Sequence, residues 1–196
     1  QEALDFTRLA FDISEEFDTP VMLRVTTRLS HSQTLVETGE RVEVGLKSYK
    51  KDAPKYVMLP GFARLRHVEV EKRILQLKEY AETTDLNRME WGDKSIGIIT
   101  SGVSYQYLRE VMPEVSVLKL GMVNPLPEKL IRSFAAEVDR LIVLEELEPV
   151  IEEQLKAWGL KVEGKELFTL LGEYSPEMIE EVLLGISSRK GSGLDQ

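Results

Sequence analysis

Three groups of residues in this chain have types and spacings suited to chemistry. Arg28, Ser30 and His31 follow an apolar, β-branched run from Val21 to Thr27 that reads as a buried strand, and ligands of open α/β sheets gather at the carboxyl ends of strands. An arginine in such a place grips a carboxylate with two parallel hydrogen bonds, and a histidine moves a proton near neutral pH. The alternative is that the three anchor the next segment to a domain surface. Ser101, Gly102 and Ser104 join a strand to a helix, where free amides can hold an anion such as a phosphate. One glycine without the repeated glycines of a dinucleotide loop equally fits a tight turn in which Ser101 or Ser104 caps the helix. Glu145 and Glu146 close another apolar run. Paired carboxylates can drive their pKa values apart and serve as acid and base, but adjacent strand residues face opposite ways, which suits a structural role or an interface with a basic partner. A basic group, Lys47, Lys50, Lys51 and Lys55 with Tyr49 and Tyr56 between them, reads as a solvated loop in a chain this acidic.

Composition removes several kinds of chemistry. With 34 acidic against 25 basic residues and a formal net charge of -9, the chain has no broad attraction for phosphate backbones or anionic membranes, so neither nucleic acid nor membrane is an expected partner. No apolar run approaches the roughly 20 residues that cross a bilayer, and no secretory leader is visible; a cytoplasmic location is expected. Cysteine is absent, which excludes disulfides, thiolate-bound zinc, iron-sulfur ligation and a cysteine nucleophile. The two histidines, His31 and His67, are far apart in sequence, and no metal site is expected from them.

The elements that must position these residues are readable from periodicity. Phe6, Leu9, Ala10, Ile13 and Phe17 share one helical stripe, and Pro20 stops that helix before the Val21 to Thr27 run. A helix and a strand cannot cover their own apolar faces, so this opening unit reads as cut from a preceding sheet. From Leu29 to about Gly61 the periodicity weakens into a crossing linker, with one short hairpin where Val42 and Val44 alternate with Glu43. Ala63 to Thr83 predicts a long helix with Val70, Ile74, Leu77 and Ala81 on one stripe and a Glu69–Arg73 pair, and residues 84–93 predict a loop in which Trp91 covers an apolar edge. Beyond Lys94, strands and helices alternate as in a parallel sheet wrapped by crossovers. The strands are 96–100, 115–120 and 141–144, the last apolar throughout and therefore expected at the centre. Pro127 and Pro149 are placed as first helical residues, Gly159 and Gly185 as helix stops, and Ser175-Pro176 opens the last helix. The tail from 187 to 196 is polar and glycine-containing and is expected to be mobile.

Taken together, the order strand, Ser101-Gly102, helix, strand, the stretch Leu120-Gly121-Met122-Val123-Asn124-Pro125-Leu126-Pro127, helix, and Leu141-Ile142-Val143-Leu144-Glu145-Glu146 resembles the transketolase C-terminal-like domain of thiamine-diphosphate enzymes. The opening segment through Arg28-Leu29-Ser30-His31 looks like the close of a pyrimidine-binding domain in 2-oxoacid:ferredoxin oxidoreductases, with Arg-Leu-Ser-His where Arg-Thr-Ser-His is common. The combination most resembles the indolepyruvate ferredoxin oxidoreductase alpha subunits, over about residues 1 to 185. The implied architecture is α/β: residues 1–35 as the last helix-strand unit of a pyrimidine-binding domain, 36–93 as a linker with short strands and a long helix, 94–186 as a parallel-sheet transketolase C-terminal-like domain, and 187–196 as the tail. The resemblance implies an enzyme that oxidatively decarboxylates aryl 2-oxoacids such as indolepyruvate to acyl-coenzyme A, with ferredoxin as acceptor. It implies the remainder of an alpha subunit and a beta subunit as partners. It further implies thiamine diphosphate, magnesium and 4Fe-4S clusters for the complete enzyme, none of them bound by this stretch alone, which would then be an internal, catalytically silent scaffold. The alternative is a stand-alone binding or subunit-interaction module with a transketolase-like fold.

Overall fold

The computed structural model describes residues 1–186; the tail expected to be mobile lies outside the described residues. The chain divides into two compact units, Gln1–Leu77 and the part from Lys78 onward. The first contains α1 (Glu2–Phe17), α2 (Thr27–His31), α3 (Ala53–Tyr56) and most of α4 (Pro60–Thr83), which continues into the second. Helix α1 follows its predicted stripe and ends where Asp18 turns to a left-handed φ of 49°. The Asp18 carboxylate then gathers Lys55 at 2.7 Å, Arg73 at 3.4 Å and Arg66 at 3.7 Å, so one acidic residue ties the end of α1 to α3 and α4. The hydrogen bond from Lys55 holds its carboxyl below the usual range.

Three expectations for this unit are corrected. Residues 21–26 form no strand, and Thr26 instead caps α2, its hydroxyl accepting from the Leu29 amide at 3.3 Å. No hairpin forms around Val42 and Val44 either. The reason is common to both: β-branched residues favour a pleated, paired setting, and among the described residues no strand pairs with either segment to take up its N–H and C=O groups. Glu69 meets Lys72 at 3.0 Å, not Arg73, which Asp18 has already drawn away.

The second unit is α/β, built on a four-stranded, mostly parallel sheet of order β1-β3-β2-β4. Strands β2 (Asp93–Ser101), β3 (Val115–Leu120) and β4 (Arg140–Leu144) extend the three predicted runs by a few residues at most. Strand β1 (Asn87–Glu90) was expected to be loop; it pairs antiparallel with β3 from Asn87 opposite Leu120 to Glu90 opposite Val117. The parallel-sheet expectation is therefore corrected to a mixed sheet, and β2, not β4, is flanked by parallel neighbours on both sides.

Unbroken apolar strands follow from coverage on both faces. Ile98, Val117, Ile142 and Leu144 point into one core with Tyr105 and Leu108 of α5 (Val103–Val111) and Ile179 of α8 (Pro176–Leu184). Their neighbours Ile99, Leu118, Leu141 and Val143 point into the other, with Ile131 and Phe134 of α6 (Glu128–Ala135) and Ile151 and Leu155 of α7 (Val150–Ala157). The outer side of β4 is met by a single parallel bridge from Glu163 to Ile142. Trp91 stacks on Phe134 with ring centroids 5.3 Å apart, the cover predicted for it.

Helix punctuation held at the carboxyl ends: Gly185 is left-handed at φ 68° after α8, whose start is capped by Ser175. At the amino ends of α6 and α7, Pro127 and Pro149 sit one position earlier than expected, as the capping residues themselves, and neither has a side chain to satisfy the helix amides. For α6 the need is met by Glu82 of α4, whose two carboxylate oxygens accept from the Lys129 and Leu130 amides at 2.9 and 2.8 Å.

Gly97, on β2, explains how closely α6 approaches the sheet. A Cβ there would lie 2.7 Å from Val138 Cγ1 and 3.0 Å from the Phe134 ring. Gly97→Ala is expected to cost about 2 kcal/mol through overpacking. Adding Val138→Ala is expected to return part of that loss in thermal unfolding, a recovery that mere loss of chain flexibility would not produce.

Candidate functional site

The carboxyl end of the parallel strands carries two of the three predicted groups. Ser101 ends β2, and Gly102, at φ 59° and ψ −139°, is the residue that precedes α5. That backbone conformation is open to glycine and strained for any other residue. The cap is thus Gly102 itself, with no side-chain cap, which corrects the expectation that Ser101 or Ser104 fills the role. Ser104 is buried in the first turn of α5. Thr100 fastens this end of β2 to β4, its hydroxyl donating to the Leu144 carbonyl at 2.8 Å.

One residue on, Glu145 turns inward and is 8% exposed. Its two carboxylate oxygens accept from the Ile151 amide at 3.0 Å and the Glu152 amide at 2.9 Å, supplying the cap that Pro149 cannot. Glu146 accepts from the Tyr174 amide at 3.0 Å, so the two carboxylates serve different partners, and both lie beyond the end of β4 at Leu144, outside the strand in which they were expected.

Around them stands a group that the sequence did not announce. Glu152, also buried, accepts from Lys156 Nζ at 2.6 Å and the Lys165 amide at 2.8 Å. Lys165 Nζ donates to the Glu145 carbonyl and to the Tyr174 hydroxyl, which in turn donates to the Thr169 carbonyl at 2.9 Å. Burial raises the Glu145 carboxyl above the usual range, against the pull of its two amide donors and of Lys165. Burial also lowers the Lys165 amine, and it pushes the Tyr174 hydroxyl up to about 12 together with the charges of Glu146, Glu145 and Glu152. The acidic first turn of α7 hinted at Glu152. Lys165 and Tyr174 arrive on loops whose partners are distant in sequence, and no local pattern marks them.

A second polar cluster was equally unannounced. Glu90 of β1 accepts from Arg88 Nε at 2.8 Å, Arg109 Nε at 3.0 Å and the Tyr105 hydroxyl at 2.9 Å. Lys119 lies 4.3 Å above the Tyr105 ring. Burial would raise the Glu90 carboxyl, but the donors Arg88, Arg109 and Tyr105 outweigh it and hold the group at about 2. Arg109 Nη2 also donates to Glu90, and its Nη1 donates to the Pro113 and Val115 carbonyls, so the cluster is a brace between β1 and α5.

Arg28, Ser30 and His31 belong to the first unit, on the short α2, and all three are exposed. The Ser30 hydroxyl donates to the Thr26 carbonyl at 3.1 Å, a bond within its own turn. In the basic group, Lys47 pairs with Glu15, while Lys55 and Tyr56 lie on α3 and Lys55 pairs with Asp18, so the expected solvated loop is corrected there to a helix.

Two cofactor classes can be tested on the residues present. A chain without cysteine has no thiolate for an iron-sulfur cluster. Among the described residues no group of three or more His, Asp or Glu is arranged to hold a metal ion. Neither group fits these residues. No described helix is long and apolar enough to cross a membrane.

No protein-family model matches the chain. Among curated proteins it is similar to the indolepyruvate oxidoreductase subunit IorA of Archaeoglobus fulgidus, 38% identical over 173 residues, covering 84% of this chain and 28% of that protein. The IorA subunit of Methanothermobacter thermautotrophicus is 33% identical over 202 residues, covering 95% of this chain and 33% of that protein. That of Pyrococcus horikoshii is 37% identical over 185 residues, with coverages of 85% and 28%. The chain thus spans between 28% and 33% of the length of these relatives. Among solved structures, a 2-oxoglutarate:ferredoxin oxidoreductase from Magnetococcus marinus aligns with a TM-score of 0.49 at 21% identity, over 62% of this chain and 23% of that one.

Proposed function

We propose, starting from the homology of this chain to indolepyruvate oxidoreductase subunit IorA over most of its length, that it serves as a scaffold within an enzyme of that kind. The enzyme in this reading oxidatively decarboxylates aryl 2-oxoacids such as indolepyruvate to acyl-coenzyme A and passes the electrons to ferredoxin. Thiamine diphosphate, magnesium and iron-sulfur clusters are then held by other parts of the assembly, in keeping with the donor set described above. The observation that carries the reading is the similarity to IorA at 33% to 38% identity across 84% to 95% of this chain.

The first unit supports it on physical grounds. Twenty-one of its large apolar side chains are exposed, Met22 at 92% and Leu35 at 98% among them, and only Ile13 and Leu77 are buried. Apolar surface on that scale is the mark of a face made to be covered. Arg28, Ser30 and His31 lie on this unit, and their place in a substrate or cofactor cleft is part of the proposal. The second unit, with an apolar core on each face of its sheet, supports the other reading, a binding or subunit-interaction module that folds by itself.

Co-production separates the two. The chain is expressed with the portion of Archaeoglobus fulgidus IorA that the match leaves uncovered, and with that organism's partner subunit. The scaffold reading expects a co-purifying complex, and titration calorimetry of the chain alone is expected to show no magnesium-dependent uptake of thiamine diphosphate. A chain that stays separate, or that takes up the cofactor tightly without help, would overturn it.

A further inference from the structure

We propose that the loops beyond the carboxyl end of β4 form a docking face for a basic protein segment with apolar side chains at its centre. This concerns the second unit alone and stands whether or not the scaffold reading does.

Four apolar side chains are exposed here: Leu147 from the first loop, Val150 from the first residue of α7, and Leu170 and Leu171 from the second loop, with Leu171 at 81% exposure. The loops are held to each other by partly buried polar groups. Glu146 receives the Tyr174 amide, Lys165 joins the Glu145 carbonyl to the Tyr174 hydroxyl, and that hydroxyl reaches Thr169. The Leu171 amide is in turn fixed by the Thr169 hydroxyl at 3.0 Å. The leucines therefore stand on a braced platform and are presented without the ordering cost that a loose loop would add on binding. Leu147 has a left-handed φ of 61°, unfavourable for a leucine.

The charge around this apolar centre is predominantly negative. Between residues 145 and 181 there are eleven acidic and three basic residues. Of the basic ones, Lys165 is turned inward and Lys156 is taken by Glu152. Glu148, Glu166 and Glu173 are exposed. An apolar centre with a charged rim is the usual anatomy of a protein interface, and a rim of predominantly one sign selects its opposite. The same charge repels nucleic acid, an anionic bilayer and the same face of a second copy, which leaves a basic polypeptide as the occupant.

The test uses the full chain and two synthetic amphipathic helical peptides, one with lysine on one face and leucine on the other, and a companion with every leucine replaced by serine. Fluorescence anisotropy is expected to show the leucine peptide binding about tenfold tighter, since apolar burial adds to charge attraction. Leu171→Ser, at a largely exposed position, is expected to remove most of that advantage. Glu148→Lys is expected to weaken both peptides about threefold or more, an effect that fades as salt is added. Leu75→Ser, an exposed leucine of α4, is expected to change nothing. Amide shifts on titration are expected to centre on residues 145–150 and 166–174. Equal affinity for the two peptides, equal effects of Leu75→Ser and Leu171→Ser, or shifts centred in the first unit would each overturn the proposal.

Discussion

Alanine at position 145 is expected to lower the unfolding free energy of the second unit by about 3 kcal/mol, because it strands two amides at the buried start of α7. Ile151 and Glu152 are 3% and 4% exposed, so water cannot take over from the carboxylate, and Pro149 offers no side chain in its place. Glutamine keeps one acceptor oxygen and is expected to lose less. Burial raises the Glu145 carboxyl above its unfolded value, so ionising it in the fold subtracts stability as pH rises from the unfolded value through the folded one, while the capping bonds remain; Glu145→Gln should remove this slope. Both tryptophans, Trp91 and Trp158, belong to the second unit. Urea titration followed by tryptophan emission therefore reads that unit directly, and an unchanged midpoint for Glu145→Ala would remove Glu145 from its structural role and reopen the acid-base reading of the Glu145-Glu146 pair.

Glu90 is expected to matter as much, with the opposite dependence on pH. Its carboxyl stands at about 2 in the fold against 4.5 when unperturbed, a difference that corresponds to about 3 kcal/mol. The sign follows from the lowered value: the stabilisation is complete above 4.5 and is lost as pH falls toward 2. Glu90→Gln should therefore destabilise the chain near neutral pH and flatten the acid limb of a plot of urea midpoint against pH. A variant whose acid limb matches that of the parent would show that Arg88, Arg109 and Tyr105 do not hold Glu90 as a carboxylate.

These two residues also mark how far the sequence could be read. Glu145 could be named from its place after an apolar run, although it and Glu146 both lie beyond β4, where strand alternation no longer applies. Its role as the cap of α7 was out of reach, because that depends on a loop folding back over five residues to present two amides. Glu90 lies in Asn87-Arg88-Met89-Glu90, a stretch with one large apolar residue and no β-branched one, so no pattern marked it as strand; its pairing with β3 is decided by tertiary contact. The run from Val21 to Thr27 failed in the reverse sense, with strand composition and no partner. The strands β2 to β4 were legible because two covered faces leave unbroken apolar runs, and the long helices because apolar residues recur at helical spacing, even though Val70 and Ile74 of α4 are exposed. Lys165 and Tyr174 leave none, since each is defined by a residue that only the fold brings near.

The lone bridge of Glu163 to β4 has a consequence for self-association. Its amide donates to the Leu141 carbonyl at 3.0 Å, and its carbonyl receives the Val143 amide at 2.8 Å, while Arg140 grips its carboxylate through two bonds of 2.6 Å. A short charged stub thus occupies the flank to which a foreign chain would otherwise add as a fifth ribbon. That edge is therefore occupied over Leu141 to Val143 by a residue clamped at its side chain.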